Sequence, residues 1–242
     1  MVDTFCLGET VVSVIRKNVK TVHLSVHPPE GRVTLVAPAK TRLEVARAFA
    51  ITKLHWIREQ QCLILAQARE TPRRYLERET HLLWGRQHLM SVVEEDAKPF
   101  VKHDHRRIVV HVRPGTSRKR REEIVLGWQR SLLHKVIPPI IRVWEGKIGV
   151  VVQAYFLQRM RSQWGSCNHA AGTIRLNSEL VKKPRHLLEY VVVHEMIHIL
   201  EPTHNKRFQE LMDEHWPAWR ESRLELNALP LGATKFPKSW ML

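Results

Sequence analysis

A chain of 242 residues, 43% of them hydrophobic, can bury one large core or two small ones. It contains no run of about eighteen uninterrupted apolar residues, which argues against a membrane-spanning helix. Its three cysteines, Cys6, Cys62 and Cys167, are odd in number and widely separated, which argues against a disulfide-stapled secreted scaffold. The first ten residues, M-V-D-T-F-C-L-G-E-T, show no basic segment leading into an apolar run, so a soluble cytoplasmic protein is expected. The net charge of +15 is uneven: residues 1–147 hold 27 Lys and Arg against 15 Asp and Glu, and residues 148–242 hold 12 against 9. Such an excess suits contact of the basic N-terminal region with nucleic acid, nucleotides or another polyanion; a solvated basic surface without a partner is the alternative.

Residues 11–37 read as strands: V-V-S-V-I-R, then K-T-V-H-L-S-V-H, then R-V-T-L-V-A-P after the turn P-P-E-G, together a three-stranded antiparallel start. From Thr41 to about Arg69 the period becomes helical, with Thr41 as the cap and Leu43, Val45, Ala46, Phe49, Leu54, Ile57 and Leu63 on the buried side. T-P-R-R at 71–74 marks a break, and strands return at His81–Trp84, at Gln87–Val93 after a turn at Gly85, and at Arg107–Val112. His103-Asp104-His105 is either a polar turn or a second metal site, but Lys102, Arg106 and Arg107 beside it would repel a cation. Residues 1–115 thus form a β-rich α+β region.

A basic helix starts after Ser117, with Glu122 and Glu123 in its early turns; Pro138-Pro139 should interrupt it before a shorter piece ending near Glu145-Gly146. Its K-R-R run reads as a solvated face, with phosphate binding as the alternative. Arg159–Leu180 reads as a hairpin, with one strand through Trp164, a polar turn at Asn168–Gly172 and then T-I-R-L-N. An edge strand beside a metal site can hold an extended peptide by backbone pairing. Trp164 is then a substrate platform or a core residue, and Cys167 a small buried residue or a thiol near the metal.

The most informative stretch is Tyr190–Phe208, which contains HExxHxxxxxH: His194 and His198 one helical turn apart, Glu195 between them, and His204 six residues on. Roughly 0.07 chance copies of HExxH are expected at this composition, so the pentad needs its context. Leu187, Leu188 and Val191–Val193 would anchor the helix in a core, and Pro202 should turn the chain after the second histidine. That turn favours His204 as third ligand over Glu201, which lies on the same helical stripe seven residues after His194. No fourth ligand is evident, so the pattern suits a catalytic zinc with one open position, where Glu195 would take the proton of an activated water and return it to the leaving group. A metal-free buried histidine pair is the plainer alternative. Tyr190, one turn before His194, either borders the site or packs in the core.

W-G-S-C at 164–167, G-T-I-R-L-N at 172–177, Y-V-V-V-H-E-M-I-H at 190–198, H-N-K-R-F at 204–208 and H-W-P-A-W-R at 215–220 together resemble the YgjP-like family of bacterial metal-dependent hydrolases, relatives of the SprT-like zincins. L-H-W-I-R-E at 54–59 extends the resemblance over nearly the whole chain, and only residues 90–150 match loosely. The resemblance implies zinc held at His194, His198 and His204, Glu195 as catalytic acid and base, and a zincin-like catalytic domain, residues 116–242, whose HExxH helix packs beneath a small sheet. The histidine spacing is also that of the metzincin proteases, but Glu201 stands where those have Gly, and no Met-turn is evident. Trp164, Gly165, Ser166 and Tyr190 are the substrate-binding candidates. A zinc metallopeptidase acting on polypeptide is the expected function. A metal-dependent nucleoside triphosphate pyrophosphatase or phosphohydrolase, or a basic nucleic-acid-associated module, are the alternatives.

Overall fold

Alternating burial along a strand says which face points inward, and the pairing then follows from which strands can be covered. The computed structural model describes residues 2–27, 30–66, 73–160 and 163–229 and divides into two units, Met1–Arg69 and Glu70–Leu242. In the first, β1 (Val2–Leu7), β2 (Thr10–Lys17), β3 (His23–His27) and β4 (Arg32–Pro38) form one sheet in the order β1-β2-β4-β3. The expected three-stranded antiparallel start is corrected on two counts: β1 adds a fourth strand, and β2 pairs parallel with β4. Val12, Val14, Val33, Leu35 and Ala37 are fully or almost fully buried, whereas β3 has no buried side chain, so β2 and β4 take the centre and β3 the edge.

The expected single helix from Thr41 is two helices, α1 (Leu43–Thr52) and α2 (Leu54–Ala66), separated at Lys53. Arg42 rather than Thr41 occupies the N-cap, with no side-chain hydrogen bond. Ala46, Ala50 and Ile57 carry the buried stripe, which leaves Val45 about 100° round the helix from Ala46 and 58% exposed, against expectation. The Leu63 side chain, residues 67–69 and the first half of the 71–74 break lie outside the described residues.

The second unit repeats the same strand order. β5 (Thr80–Leu83), β6 (Arg86–Glu94), β7 (Phe100–His103) and β8 (Arg107–Val112) run β5-β6-β8-β7, with β6 and β8 parallel and both outer pairs antiparallel. β7 was not anticipated. Leu83, Met90, Ile108 and Val110 share one apolar core with Val125 and Leu133 of α3 (Arg118–Ile148). The sheet's inner face finds its cover there, which is why the units part at 69/70, where the sequence reading drew its boundary at 115/116.

Ser117 caps α3 through Oγ, which accepts from the Arg120 amide at 3.3 Å. The helix then runs unbroken for 31 residues through Pro138 and Pro139 to a left-handed Gly149, φ 76°. The expected interruption does not occur. A buried stripe of Val125, Gln129, Leu133, Ile137, Ile141, Trp144 and Ile148 continues across the prolines, and its packing outweighs the cost of about 3 kcal/mol that each proline imposes in isolation.

β10 (Gly165–Asn168) and β11 (Thr173–Asn177) form the expected hairpin, its first strand beginning just after Trp164, and β9 (Ala154–Gln158) adds an unanticipated parallel partner to β11. The order β10-β11-β9 leaves β10 at an edge. A 3-10 turn, Ser178–Lys182, leads to α4 (Arg185–Leu200), followed by α5 (Lys206–His215) and α6 (Trp219–Ala228). α4 is apolar on most of its circumference and buries Leu187, Leu188, Val191–Val193, Met196 and Ile197, the pattern of a core helix. No described helix is long and apolar enough to cross a membrane.

Candidate metal centre

α4 ends at Leu200, and the residue before Pro202, Glu201, is extended with φ −137° and ψ 101°. Asn205 then caps α5, its Oδ1 accepting from the Phe208 amide at 3.0 Å. Between these two local features His204 swings back: its Nε2 lies 3.1 Å from Nε2 of His194 and 3.2 Å from Nε2 of His198. A tetrahedral site with arms of ~2.05 Å has edges of about 3.3 Å, so both separations from His204 suit ligands of one small cation, and all three ligand atoms lie within 4.8 Å of one another.

Protonation agrees with that spacing. Burial, then the neighbouring His198 and His204, push His194 down to about 3; burial also lowers His198 and His204. Neutral rings offer lone pairs. Nδ1 of His198 lies 3.0 Å from the Glu201 carbonyl and donates to it, which leaves Nε2 as the free acceptor. Nδ1 of His194 is buried with no hydrogen-bond partner among the described residues. The donor set therefore fits a divalent ion that accepts nitrogen ligands.

The rival third ligand is accounted for. The Glu201 carboxylate accepts from the Thr203 hydroxyl at 3.1 Å and does not join the cluster. Cys167 does not join it either. Burial and the nearby Glu195 carboxyl push its thiol up to about 11, so it stays protonated. His103 ends β7, and Asp104-His105 begins the turn to β8, Oδ1 of Asp104 accepting from the amides of Arg106 and Arg107 at 2.7 Å each. The cluster of His194, His198 and His204 is the one of ligating geometry among the described residues.

Glu195 points toward β10 and is only 5% exposed; burial pushes its carboxyl up to about 8. A Cβ on Gly165 would lie 2.5 Å from its Oε1, so only glycine lets the strand pass this close. A cavity of about 700 Å³ opens over the histidines, and Trp164, Gly165, Ser166 and Tyr190 all line it. Tyr190 is buried in the core against Trp216, and its ring meets that of His194 edge-on at 6.0 Å. Trp164 likewise packs on the core while facing the cavity, with the Lys183 ammonium 5.3 Å above its ring.

Three contributors were not singled out from sequence. Phe208 packs against all three imidazoles with centroids 4.6 to 5.0 Å away, flattest on His198 at 27°, an apolar seat placed one turn after His204. Asn177 clamps the segment leading into β10: its Nδ2 donates to the carbonyls of Met160 and Gln163, and its Oδ1 accepts from the amides of Met160 and Glu179. Arg223 of α6 faces the cavity. The Phe208 spacing was legible as an i, i+4 pair; the other two depend on distant segments meeting.

Neither a curated protein nor a solved structure matches the chain significantly. Residues 20–229, from just before β3 through the end of α6, match the family model described as YgjP-like, metallopeptidase domain, and the chain belongs to the YgjP-like family.

Proposed function

We propose that this protein is a zinc peptidase of the zincin kind, in which His194, His198 and His204 hold the ion and Glu195 carries the proton. The convergence of three neutral Nε2 atoms beside a buried carboxyl is the observation that supports it best. When bound, zinc supplies a Lewis acid that polarises the scissile carbonyl and acidifies water. The remaining work belongs to the chain. In the metal-free chain burial raises the Glu195 carboxyl to about 8, and a carboxyl held above the ordinary carboxylate range suits a group that accepts a proton in one half of a hydrolysis and gives it back in the other. Gly165 keeps that carboxyl against the strand, and Asn177 keeps the approach to β10 in place.

β10 ends its sheet and borders the cavity, so an extended polypeptide added at its free edge would run across Glu195. The same lining argues against a triphosphate. Among the described residues it contains one Lys or Arg, Arg223, whereas holding several phosphates takes several cations. Contact of residues 1–147 with a polyanion is a separate proposal that the charge alone supports.

The deciding experiment offers zinc-loaded protein an unfolded polypeptide and, separately, a panel of nucleoside triphosphates, with Glu195→Gln as the blank. Peptide fragments that appear only with the intact carboxylate are expected. Nucleotide cleavage with that dependence would reassign the substrate, and no difference from the blank in either arm would remove the enzyme reading.

A further inference from the structure

Two arginines on α6 have different fates. Arg220 is committed: its guanidinium donates to Asp213 and stacks 4.3 Å over Trp219. Arg223 has no carboxylate partner among the described residues, yet it faces the cavity on the same helical stripe as Trp219 and Leu226. That cavity is the one that His194, His198, His204 and Glu195 line. Glu195 is the one carboxylate among the described lining residues.

A guanidinium without a carboxylate partner, lining the same cavity as three rings arranged to hold a cation, is set against a bound cation. Its charge opposes that of a cation and becomes favourable when negative charge forms in the cavity between the two. Resting on the peptidase reading above, we propose that Arg223 is a catalytic residue that donates hydrogen bonds to the oxyanion of the tetrahedral state. As the oxygen of water bonds to the scissile carbonyl carbon, one water proton passes to Glu195. The carbonyl π pair then moves onto oxygen, where Arg223 receives it. Collapse re-forms the carbonyl and breaks the C–N bond, and the proton on Glu195 goes to the leaving nitrogen, giving one acid and one amine for one water consumed.

The test compares wild type, Arg223→Gln, Arg223→Lys and, as a control for the folding of α6, Arg220→Gln. Four quantities are measured: kcat and KM on a fluorogenic peptide, the affinity of a phosphinic peptide that mimics the anionic tetrahedral state, binding of the parent peptide in a Glu195→Gln background, and zinc affinity of the metal-free protein. For Arg223→Gln a fall in kcat of about 10²- to 10³-fold is expected, with a matching loss of phosphinic-peptide affinity. Parent-peptide binding should not change, Arg223→Lys should recover part of the loss, and zinc should bind as tightly as in wild type or more tightly. Wild-type kcat in Arg223→Gln overturns the proposal, as does a rise in KM and peptide dissociation constant with kcat intact, or a parallel loss of zinc. A wild-type protein that binds zinc but cleaves no peptide overturns the underlying reading instead, which a cleaving wild type with an unaffected Arg223→Gln does not.

Discussion

Replacing Gly165 with Ala adds a single carbon, and the structure says where it lands: 2.5 Å from Oε1, 2.6 Å from Cγ and 2.7 Å from Cδ of Glu195. Ordinary contact begins near 3.4 Å, so the carboxyl has to retreat by roughly 0.9 Å. A displacement of about 1 Å in a catalytic group costs on the order of 10²-fold in rate, about 2.7 kcal/mol. Gly165 is not in the left-handed region, so alanine strains no backbone, and none of the three nearest atoms belongs to an imidazole. The expected outcome is kcat/KM lower by about 10²-fold, with zinc stoichiometry and denaturant midpoint unchanged. The same substitution in a Glu195→Gln background should cost almost nothing more, since the two changes act on one group. A Gly165→Ala protein that keeps most of its activity, or loses zinc together with activity, would refute the claim that this strand exists in its present place to hold the carboxyl.

His204→Ala should lose far more zinc affinity than Glu201→Ala, because the Glu201 side chain is engaged with Thr203 and only its carbonyl supports the site; equal losses by competition with a metal indicator would reverse the ligand choice. Asn177→Ala removes four side-chain hydrogen bonds from a residue only 4% exposed and should lower stability by about 3 kcal/mol, seen as a fall in Tm on the order of 10 °C; a fall under about 2 °C would mean that the segment before β10 holds itself. In metal-free protein the Glu195 carboxyl titrates near 8 when folded against its ordinary 4.5, so the folded chain keeps a proton that the unfolded chain has lost across that interval. Its contribution to stability is full below 4.5 and disappears as pH rises through 8. Glu195→Gln cannot lose that proton, so its stability gain over wild type should grow by up to about 1.4 kcal/mol per pH unit across this window and level off above it. A Tm difference that stays constant from pH 5 to 8 would contradict this.

What could be read in advance was whatever acts within a few residues. The turn enforced by Pro202, the cap at Ser117 and the period-2 runs of β2 and β4 are local, and each appears where its chemistry puts it. Alternation in V-V-S-V-I-R names a face but no neighbour, so the parallel pairing of β2 with β4 was hidden, and so was its recurrence in β6 with β8. The prolines of α3 misled because local propensity was weighed without the seven buried residues that keep the helix continuous through them. At the site, the histidines were legible from spacing. The need for glycine at 165 and the exposure of Arg223 to the cavity arise only where chain segments thirty residues apart come together.

That difference in reach separates holding an ion from using it. All three imidazoles and their aromatic seat fall between His194 and Phe208, so the chelating unit is one continuous stretch of chain. The Glu195 carboxyl instead takes its place from Gly165, on a strand that is remote in sequence. Damage to that strand would leave a chain that still grips a cation but has lost the seat of its proton carrier.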